Sequence, residues 1–413
     1  MEHWFDLIMI PMQVFIFLFT IYYFIIGFCG MWRRKEDKIL TPEKSFAVIV
    51  AAHNESAVIG QLLENLYEME YPKTLYDVFV VADNCVDNTA EIARGKGAIV
   101  CERFSETGKG KGFALEWMFD KLFSMERQYD AIVVFDADNL VHPRFLLEMN
   151  NRLLKGDKLI QGYLDAKNPY DTWISGTFAI AFWVIDHVWH LAKTNIGLSS
   201  VLGGTGMCIA SDVLKRHGWG ATCLTEDMEF TMKSLVEGIK TTWAHDAIVY
   251  DEKPLTFMQS WNQRKRWAQG QFDVAHRFIP KMLKAGIERR DIRILDGCLH
   301  LIQPHFLLIS TFFVILSYIQ LLVPPFYTSI YRFMPSELMS FIMFGQYILP
   351  VIILLKIHVK WKAWLYLLLY PIFIYSWIPI VFLGFLHRNE HEWSHTQHTR
   401  ALTYEEFMDK KNN

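Results

Sequence analysis

At 413 residues the chain is long enough for one large globular domain plus membrane segments, and a net charge of −3 argues against a general nucleic-acid binder, which is normally basic. Its composition, 52% hydrophobic and 15% aromatic, is high for a soluble enzyme, and the apolar residues collect near the N-terminus and after Leu299. The six cysteines (Cys29, Cys85, Cys101, Cys208, Cys223, Cys298) show neither CxxC nor zinc-type spacing and read as reduced thiols rather than a disulfide framework.

In chain order, the segment from about Phe5 to Phe28 is apolar and aromatic and long enough to span a bilayer, with Asp6 near its outer end. Trp32-Arg33-Arg34-Lys35 follows it, so the positive charge lies behind the apolar run, not before it as in a signal peptide. Positive-inside logic puts the N-terminus outside and the chain after Arg33 in the cytosol. From Lys44 to about Thr256, short apolar runs with strand character (Phe46–Ala51, Val78–Ala82, Ala131–Phe135) alternate with helical stretches such as Ala57–Met69. That alternation predicts an α/β domain of βαβ units around a mostly parallel sheet. A charged stretch, Lys281 to Asp296, suits a helix along a membrane surface. Three further apolar segments follow, about Leu299–Val323, Leu338–Leu355 and Ala363–Leu386, with Lys356, Lys360 and Lys362 marking the loop before the last as cytosolic.

Several motifs carry chemistry. Asp136-Ala137-Asp138 ends the buried run Ile132–Phe135; in an extended chain both carboxylates face one way and would hold a hard divalent cation against a diphosphate. Two solvated acids at a strand end would read the same. Asp83 opens a second acidic loop after a strand, where open α/β sheets bind ligands, while Asp87 and Asn88 suit caps of the helix starting near Thr89. Gly108-Lys109-Gly110-Lys111-Gly112 lets backbone and ammonium groups approach phosphate, though it departs from the P-loop pattern and a plain flexible loop fits it too. Thr225-Glu226-Asp227 opens the predicted helix Met228–Glu237. Thr225 suits an N-cap and the acids suit a first helical turn, or one of them is a catalytic base beside an acceptor hydroxyl. Gln263-Arg264-Lys265-Arg266-Trp267 precedes the membrane segments; its cations suit anionic lipid or a diphosphate, and its tryptophan suits a sugar ring.

Ala51-Ala52-His53-Asn54-Glu55, Asp83, Asp136-Ala137-Asp138, Thr225-Glu226-Asp227 and Gln263–Trp267 stand in the order typical of processive family 2 glycosyltransferases, which include cellulose, chitin, hyaluronan and poly-N-acetylglucosamine synthases. The resemblance covers about Lys44 to Phe272. It implies a GT-A domain inserted between membrane helices and an inverting mechanism on a UDP-sugar. By resemblance, Ala51, Asn54, Glu55 and Asp83 line the nucleotide, Asp136 and Asp138 hold Mg²⁺ or Mn²⁺, and Lys111, Gln263 and Arg266 attend the diphosphate. Asp227 is then the general base, with Gly204, Thr205, Glu226 and Trp267 on the acceptor side. The expected division is an N-terminal membrane helix (1–32), a cytosolic catalytic domain (44–272), an interfacial segment (273–298), about three membrane helices (299–386) and a tail (387–413), in a multi-pass plasma-membrane protein. The chain is too short for an appended cyclic di-GMP domain and has fewer membrane segments than bacterial cellulose synthases, which puts a complete export channel in doubt.

The favoured expectation is extension of a β-linked polysaccharide from UDP-glucose, with UDP-N-acetylglucosamine next. The alternative is transfer of a single sugar to a membrane lipid. An export or regulatory partner protein is not identified by the sequence. His387, His391, His395 and His398 with Trp393 read as an interfacial segment rather than a metal site, and a gating segment is a third reading. Four crossings would place this tail outside, away from a cytosolic site, unless the proline-bearing last segment (Pro371, Pro379) fails to cross.

Overall fold

The computed structural model describes residues 2–34, 38, 41–220, 223–323, 327–333, 335–390 and 400–412. Helix α1 (Glu2–Cys29) precedes β1 (Phe46–Ala52), α2 (Ile59–Tyr67), β2 (Tyr76–Asp83), α3 (Thr89–Gly95), β3 (Ile99–Arg103), α4 (Lys111–Phe123), β4 (Ala131–Asp136), β5 (Leu140–Val141), α5 (Phe145–Leu154) and β6 (Leu159–Ala166). A long helical excursion follows, α6 (Trp173–Ile185), a π-helical stretch over Asp186–Leu191, and α7 (Ala192–Asn195). It leads to β7 (Met207–Ala210), α8 (Ser211–His217), α9 (Glu226–Val236) and β8 (Thr241–Asp251).

The eight-stranded sheet has the order β3-β2-β1-β4-β7-β6-β8-β5. The first four strands are parallel, as the alternating pattern implies. Beyond them the sheet is mixed: β7 runs antiparallel to both β4 and β6, β6 is parallel to β8, and β5 is antiparallel to β8. The expectation of a mostly parallel sheet is corrected here. A four-residue strand such as β7, wedged between a glycine-rich loop and a helix, has no periodicity to announce it.

β1 and β4 read as unbroken apolar runs because helices cover both faces of the sheet. Val48, Val50, Val133 and Phe135 pack with Leu62, Leu66 and Met149 of α2 and α5. Ala47, Ile49, Ile132 and Val134 pack with Leu115, Met118 and Phe119 of α4. Each such fully buried aliphatic side chain contributes roughly 1.5–3 kcal/mol, so the two layers together fix the strand register. Register in turn sets which residues meet at the strand ends.

Helix α10 (Phe257–Arg289) runs into the expected interfacial stretch (273–298) and ends within it at Arg290 in left-handed geometry (φ 52°), handing over to α11 (Ile292–Ile319), which Asp291 caps through the Arg293 N–H at 2.9 Å. Helices α12 (Ser336–Ile357), α13 (Trp361–Tyr375) and α14 (Trp377–Leu386) complete the apolar part, and α15 (Tyr404–Asn412) ends the chain. Phe5–Cys29, Ile292–Ile319 and Trp361–Leu386 are long and apolar enough to cross a membrane. The last of these is interrupted at Ser376, because Pro379 has no N–H to donate to the Tyr375 carbonyl four residues before it. The Arg264 guanidinium, fully buried, donates to the Phe373 carbonyl at 3.2 Å and to Ser376 Oγ at 2.8 Å and lies 4.3 Å from the Phe373 ring centre. It caps the C-terminal end of α13, so Arg264 is a packed interior cation rather than a lipid-facing one.

Both ends of the broken segment are tied to the catalytic side. The Lys360 N–H donates to Tyr170 Oη at 3.2 Å, and Gln269 Nε2 of α10 donates to the His387 carbonyl at 2.8 Å. The C-terminal helix also lies on the catalytic domain: Phe407 is buried with Leu140 and Tyr250, and Lys411 pairs with Asp165 at 2.6 Å. His387 Nδ1 bonds the Leu383 carbonyl of its own helix at 2.8 Å; His391, Trp393, His395 and His398 lie outside the described residues.

Candidate active site

Three parallel strands end together. Register sets Ala51 beside Asp136 and Ala52 beside Ala82, so Asp83 and the Asp136 turn open onto one edge. Asp83 is nearly buried and pairs with Arg103 at 2.5 Å; Arg103, opposite it on β3, also donates to the Gly108 carbonyl at 2.8 Å. A cleft of about 660 Å³ adjoins this pair, lined by His53, Asp83, Asn84, Phe104, Ser105, Glu106, Lys109 and Gly110, within the size range of nucleotide-scale ligand sites. His53 Nδ1 lies 2.7 Å from the Asp83 carbonyl. Asn54 and Glu55 are not among the lining residues. Asn54, at φ 56°, accepts the Val86 N–H at 2.8 Å, and the Glu55 N–H donates to Thr89 Oγ1 at 2.8 Å, so both brace the loops behind the cleft. Asp87 caps α3 through the Thr89 N–H at 3.0 Å. Asp83→Asn keeps the shape but removes the charge that orients Arg103. If the cleft takes the nucleotide that the sequence resemblance implies, binding of UDP as the calorimetric probe weakens about tenfold, the ~1.5 kcal/mol of one charge-assisted hydrogen bond; an unchanged constant would remove Asp83 from such a site.

β4 stops at Asp136 because the Asn139 N–H closes a turn onto its carbonyl at 3.2 Å. Strand alternation therefore does not extend to Asp138, which sits in the turn and is 2% exposed, its Oδ2 accepting the Glu252 N–H at 3.3 Å. Asp136 is more open and pairs with the Lys111 ammonium, which also donates to the Gly204 carbonyl at 2.7 Å. Burial opposes the charge on Lys111, but Asp136, Glu226 and Asp227 outweigh it and hold the ammonium above its ordinary range. Among the described residues no three His, Cys, Asp or Glu side chains gather into a metal cage. Two hard carboxylates on one turn fit a Mg²⁺- or Mn²⁺-type cation that takes its remaining ligands from a bound diphosphate and water.

The loop over 203–206 and the start of α9 meet at the same point. Gly204 adopts φ 79°, and a Cβ there would lie 3.3 Å from Asp227 Oδ2, so the loop backbone comes close to that carboxylate. Gln161 holds the loop, accepting the Gly203 N–H and donating to the Thr205 carbonyl, each at 2.8 Å. Thr225 occupies the N-cap position of α9 without capping it; its hydroxyl lies 3.6 Å from Cys223 Sγ. Its position is set by α10, where a Cβ on Gly270 would fall 2.4 Å from Thr225 Oγ1. Burial, and next the Glu226 carboxylate, push the Asp227 carboxyl up to about 7; burial also raises Glu226, against the pull of Lys111 and Arg266. A carboxyl titrating near neutrality beside a glycine-lined opening has the properties of a general base. Trp267 packs edge-on to Phe178 at 5.9 Å and tilted to Phe182 at 6.2 Å, and Gln263 Oε1 is buried with no partner among the described residues.

A family model described as "Glycosyltransferase like family 2" matches residues 42–270, more than half of the chain. The chain belongs to glycosyltransferase family 2. This glycosyltransferase is 28% identical over 234 residues to a beta-monoglucosyldiacylglycerol synthase of Nostoc, covering 54% of this chain and 48% of that protein. It is 23% identical over 236 residues to a poly-beta-1,6-N-acetyl-D-glucosamine synthase of Staphylococcus epidermidis, covering 56% and 55%. The chain thus spans about half the length of these relatives. Its fold matches a mannosyltransferase of Pyrobaculum calidifontis, solved with GDP-mannose and Mn²⁺, at a TM-score of 0.58 and 15% identity over 94% of this chain and 99% of that one. The domain is therefore a GT-A fold of glycosyltransferase family 2.

Arg103 and Gln161 escape a sequence reading of this glycosyltransferase, because each acts across strands whose register is not local. The signal that does exist for Arg103 is its place at a strand's C-terminal end, the edge where α/β sheets bind ligands.

Proposed function

We propose that this enzyme transfers a hexose from a UDP-sugar, with inversion, to a lipid acceptor in the membrane. UDP-glucose is the favoured donor and UDP-N-acetylglucosamine the next. The observation that carries the reading is the Asp227 carboxylate beside the Gly204 backbone, at the point where Lys111 joins Asp136 to the Gly204 carbonyl. Asp227 takes the acceptor hydroxyl's proton as that oxygen attacks the anomeric carbon and UDP departs with the bonding pair. Asp83 orients the uridine with Arg103. Asp136 and Asp138 would hold Mg²⁺ or Mn²⁺, which supplies positive charge for the leaving diphosphate. Lys111, Gln263 and Arg266 add donors on the same side, and Gly204, Thr205 and Glu226 border the acceptor.

The lipid acceptor is favoured over a polysaccharide by the packing of the apolar helices. α1 contacts α11 through Phe19 stacked on Phe306 at 4.4 Å, and it contacts α12, where a Cβ on Gly27 would meet Leu349 at 3.4 Å. Side-on packing of α1 against α11 and α12 supports a lipid-facing bundle over a sugar-wide conduit. We read α13–α14, with its Pro371 and Pro379, as re-entrant, which keeps α15, packed against Leu140 and Tyr250, on the cytosolic side with the catalytic domain (44–272); α1, α11 and α12 cross, and the outer part of α10 (273–289) lies at the interface. The Nostoc relative, by its name, glucosylates a diacylglycerol. The polymer reading has the Gln263–Trp267 motif in its favour.

The test uses the full chain in nanodiscs containing diacylglycerol, whose free hydroxyl is the acceptor, with labelled UDP-glucose or UDP-N-acetylglucosamine and Mn²⁺. One sugar per lipid in the organic phase, absent with Asp227→Asn, is the expected result. A high-molecular-weight product cut by a β-glucanase or a β-hexosaminidase would overturn the lipid acceptor.

A further inference from the structure

We propose that Asn139 is a positioning residue that locks the carboxylate turn to the acceptor loop and thereby sets the affinity of the Asp136–Asp138 site for its cation. The inference rests on the reading of those two carboxylates as cation ligands.

Asn139 is 1% exposed, at the position following the Asp136-Ala137-Asp138 sequence. An asparagine side chain has a carbonyl oxygen with two acceptor positions and an amide with two N–H donors. Here all four are engaged. Oδ1 accepts the Asp136 backbone N–H at 3.1 Å and the Thr205 hydroxyl. Nδ2 is directed to Asp138 Oδ1 and to Asp251 Oδ1, each at 3.4 Å. Thr205 closes the triangle, its Oγ1 also accepting the Asp136 N–H at 3.1 Å. One side chain therefore joins the end of β4, the loop that borders Asp227, and the end of β8.

No other residue type of this size does the same. Aspartate keeps the acceptors but loses both donors and faces two carboxylates, those of Asp138 and Asp251; leucine matches the volume and offers neither. The two carboxylates lie on a turn outside the regular ladder, so their spacing depends on side-chain bonds rather than on the sheet. Groups that orient metal ligands in this way are commonly worth 10–100-fold in metal affinity. Asn139 touches neither donor nor acceptor in this account; it acts through Asp136, Asp138 and Thr205.

The experiment measures Mn²⁺ binding to the full chain in nanodiscs with UDP, by the loss of the free-ion electron paramagnetic resonance signal, alongside thermal unfolding. Wild type, Asp138→Asn, Asn139→Ala, Thr205→Val and the double variant Asn139→Ala/Thr205→Val are compared. Asn139→Ala is expected to raise the Mn²⁺ dissociation constant at least tenfold, Thr205→Val to raise it several-fold, and the double variant to fall short of the product of the two. Should Asn139→Ala fail to fold, Thr205→Val, nearly isosteric, carries the test alone by the same shift. A lower unfolding temperature with an unchanged Mn²⁺ constant in either variant would mean that Asn139 merely stabilises the fold, and would overturn the inference. A wild type that shows no saturable binding, or an Asp138→Asn variant that binds as well as wild type, would instead overturn the cation reading beneath it.

Discussion

Asp227→Asn is expected to lower kcat by about 10²–10⁴-fold while leaving the KM for the donor within about twofold, because the lost step is proton removal and not binding. The competing account of the same carboxylate is that it only complements the N-terminal end of α9, where it accepts the Met228 N–H at 2.8 Å. That role is worth about 0.3–1 kcal/mol of stability and would leave kcat near wild type. The two accounts differ by orders of magnitude in rate, so a single-turnover measurement with saturating UDP-sugar decides between them.

The pH profile supplies an independent check. The Asp227 carboxyl is raised to about 7, by burial first and by Glu226 next, so near pH 7 a large share of the enzyme carries the protonated, inactive base. kcat/KM is then expected to rise with pH through about 7 and to level off above it, falling about tenfold per unit on the acid side. Glu226→Gln removes the neighbouring negative charge and moves this limb to lower pH; a limb that stays in place or moves upward would mean that another group limits the rate.

What the sequence disclosed follows a physical line. Asp83 and Asp136 are legible because each follows an apolar strand run that stops there, and Asp227 because Thr225-Glu226-Asp227 marks a helix start, all local signals. The left half of the sheet is legible for the same reason. The rest depends on partners distant in sequence. Arg103 meets Asp83 only through β2–β3 register, and Asn139 acquires its function from Thr205 and Asp251, far along the chain. Arg264 shows the failure most clearly. In sequence it belongs to a basic run that suits a lipid surface, whereas in the fold it is the fully buried cap of α13. Helix α6 is almost wholly apolar and packs against α13, yet nothing in its pattern separates a buried helix inside the catalytic domain from a strand-rich stretch.

Lys193→Met is expected to be the most destabilising single change away from the active site. Lys193 of α7 and Asp296 of α11 are 1% and 4% exposed, and Nζ–Oδ2 is 2.5 Å. Tyr22 of α1 donates to the other carboxylate oxygen, and the ammonium lies 3.7 Å from the Trp189 ring centre. One ion pair thus joins the N-terminal helix, the catalytic domain's helical excursion and the first helix after α10. Removing the lysine leaves a buried carboxylate with a tyrosine hydroxyl in place of a counter-ion, which costs about 3–5 kcal/mol out of a total that is commonly 5–15. Desolvation of such a pair largely offsets its attraction, so the double variant Lys193→Met/Asp296→Leu should recover most of the loss, and only the single variants should be severely affected. Thermal unfolding of the four proteins in nanodiscs makes the comparison. If the double variant unfolds no later than Lys193→Met alone, the pair is a specific structural clamp whose geometry apolar packing cannot replace, and the expectation drawn from desolvation fails. If it recovers, what the three elements need at this junction is filled volume without an orphaned charge.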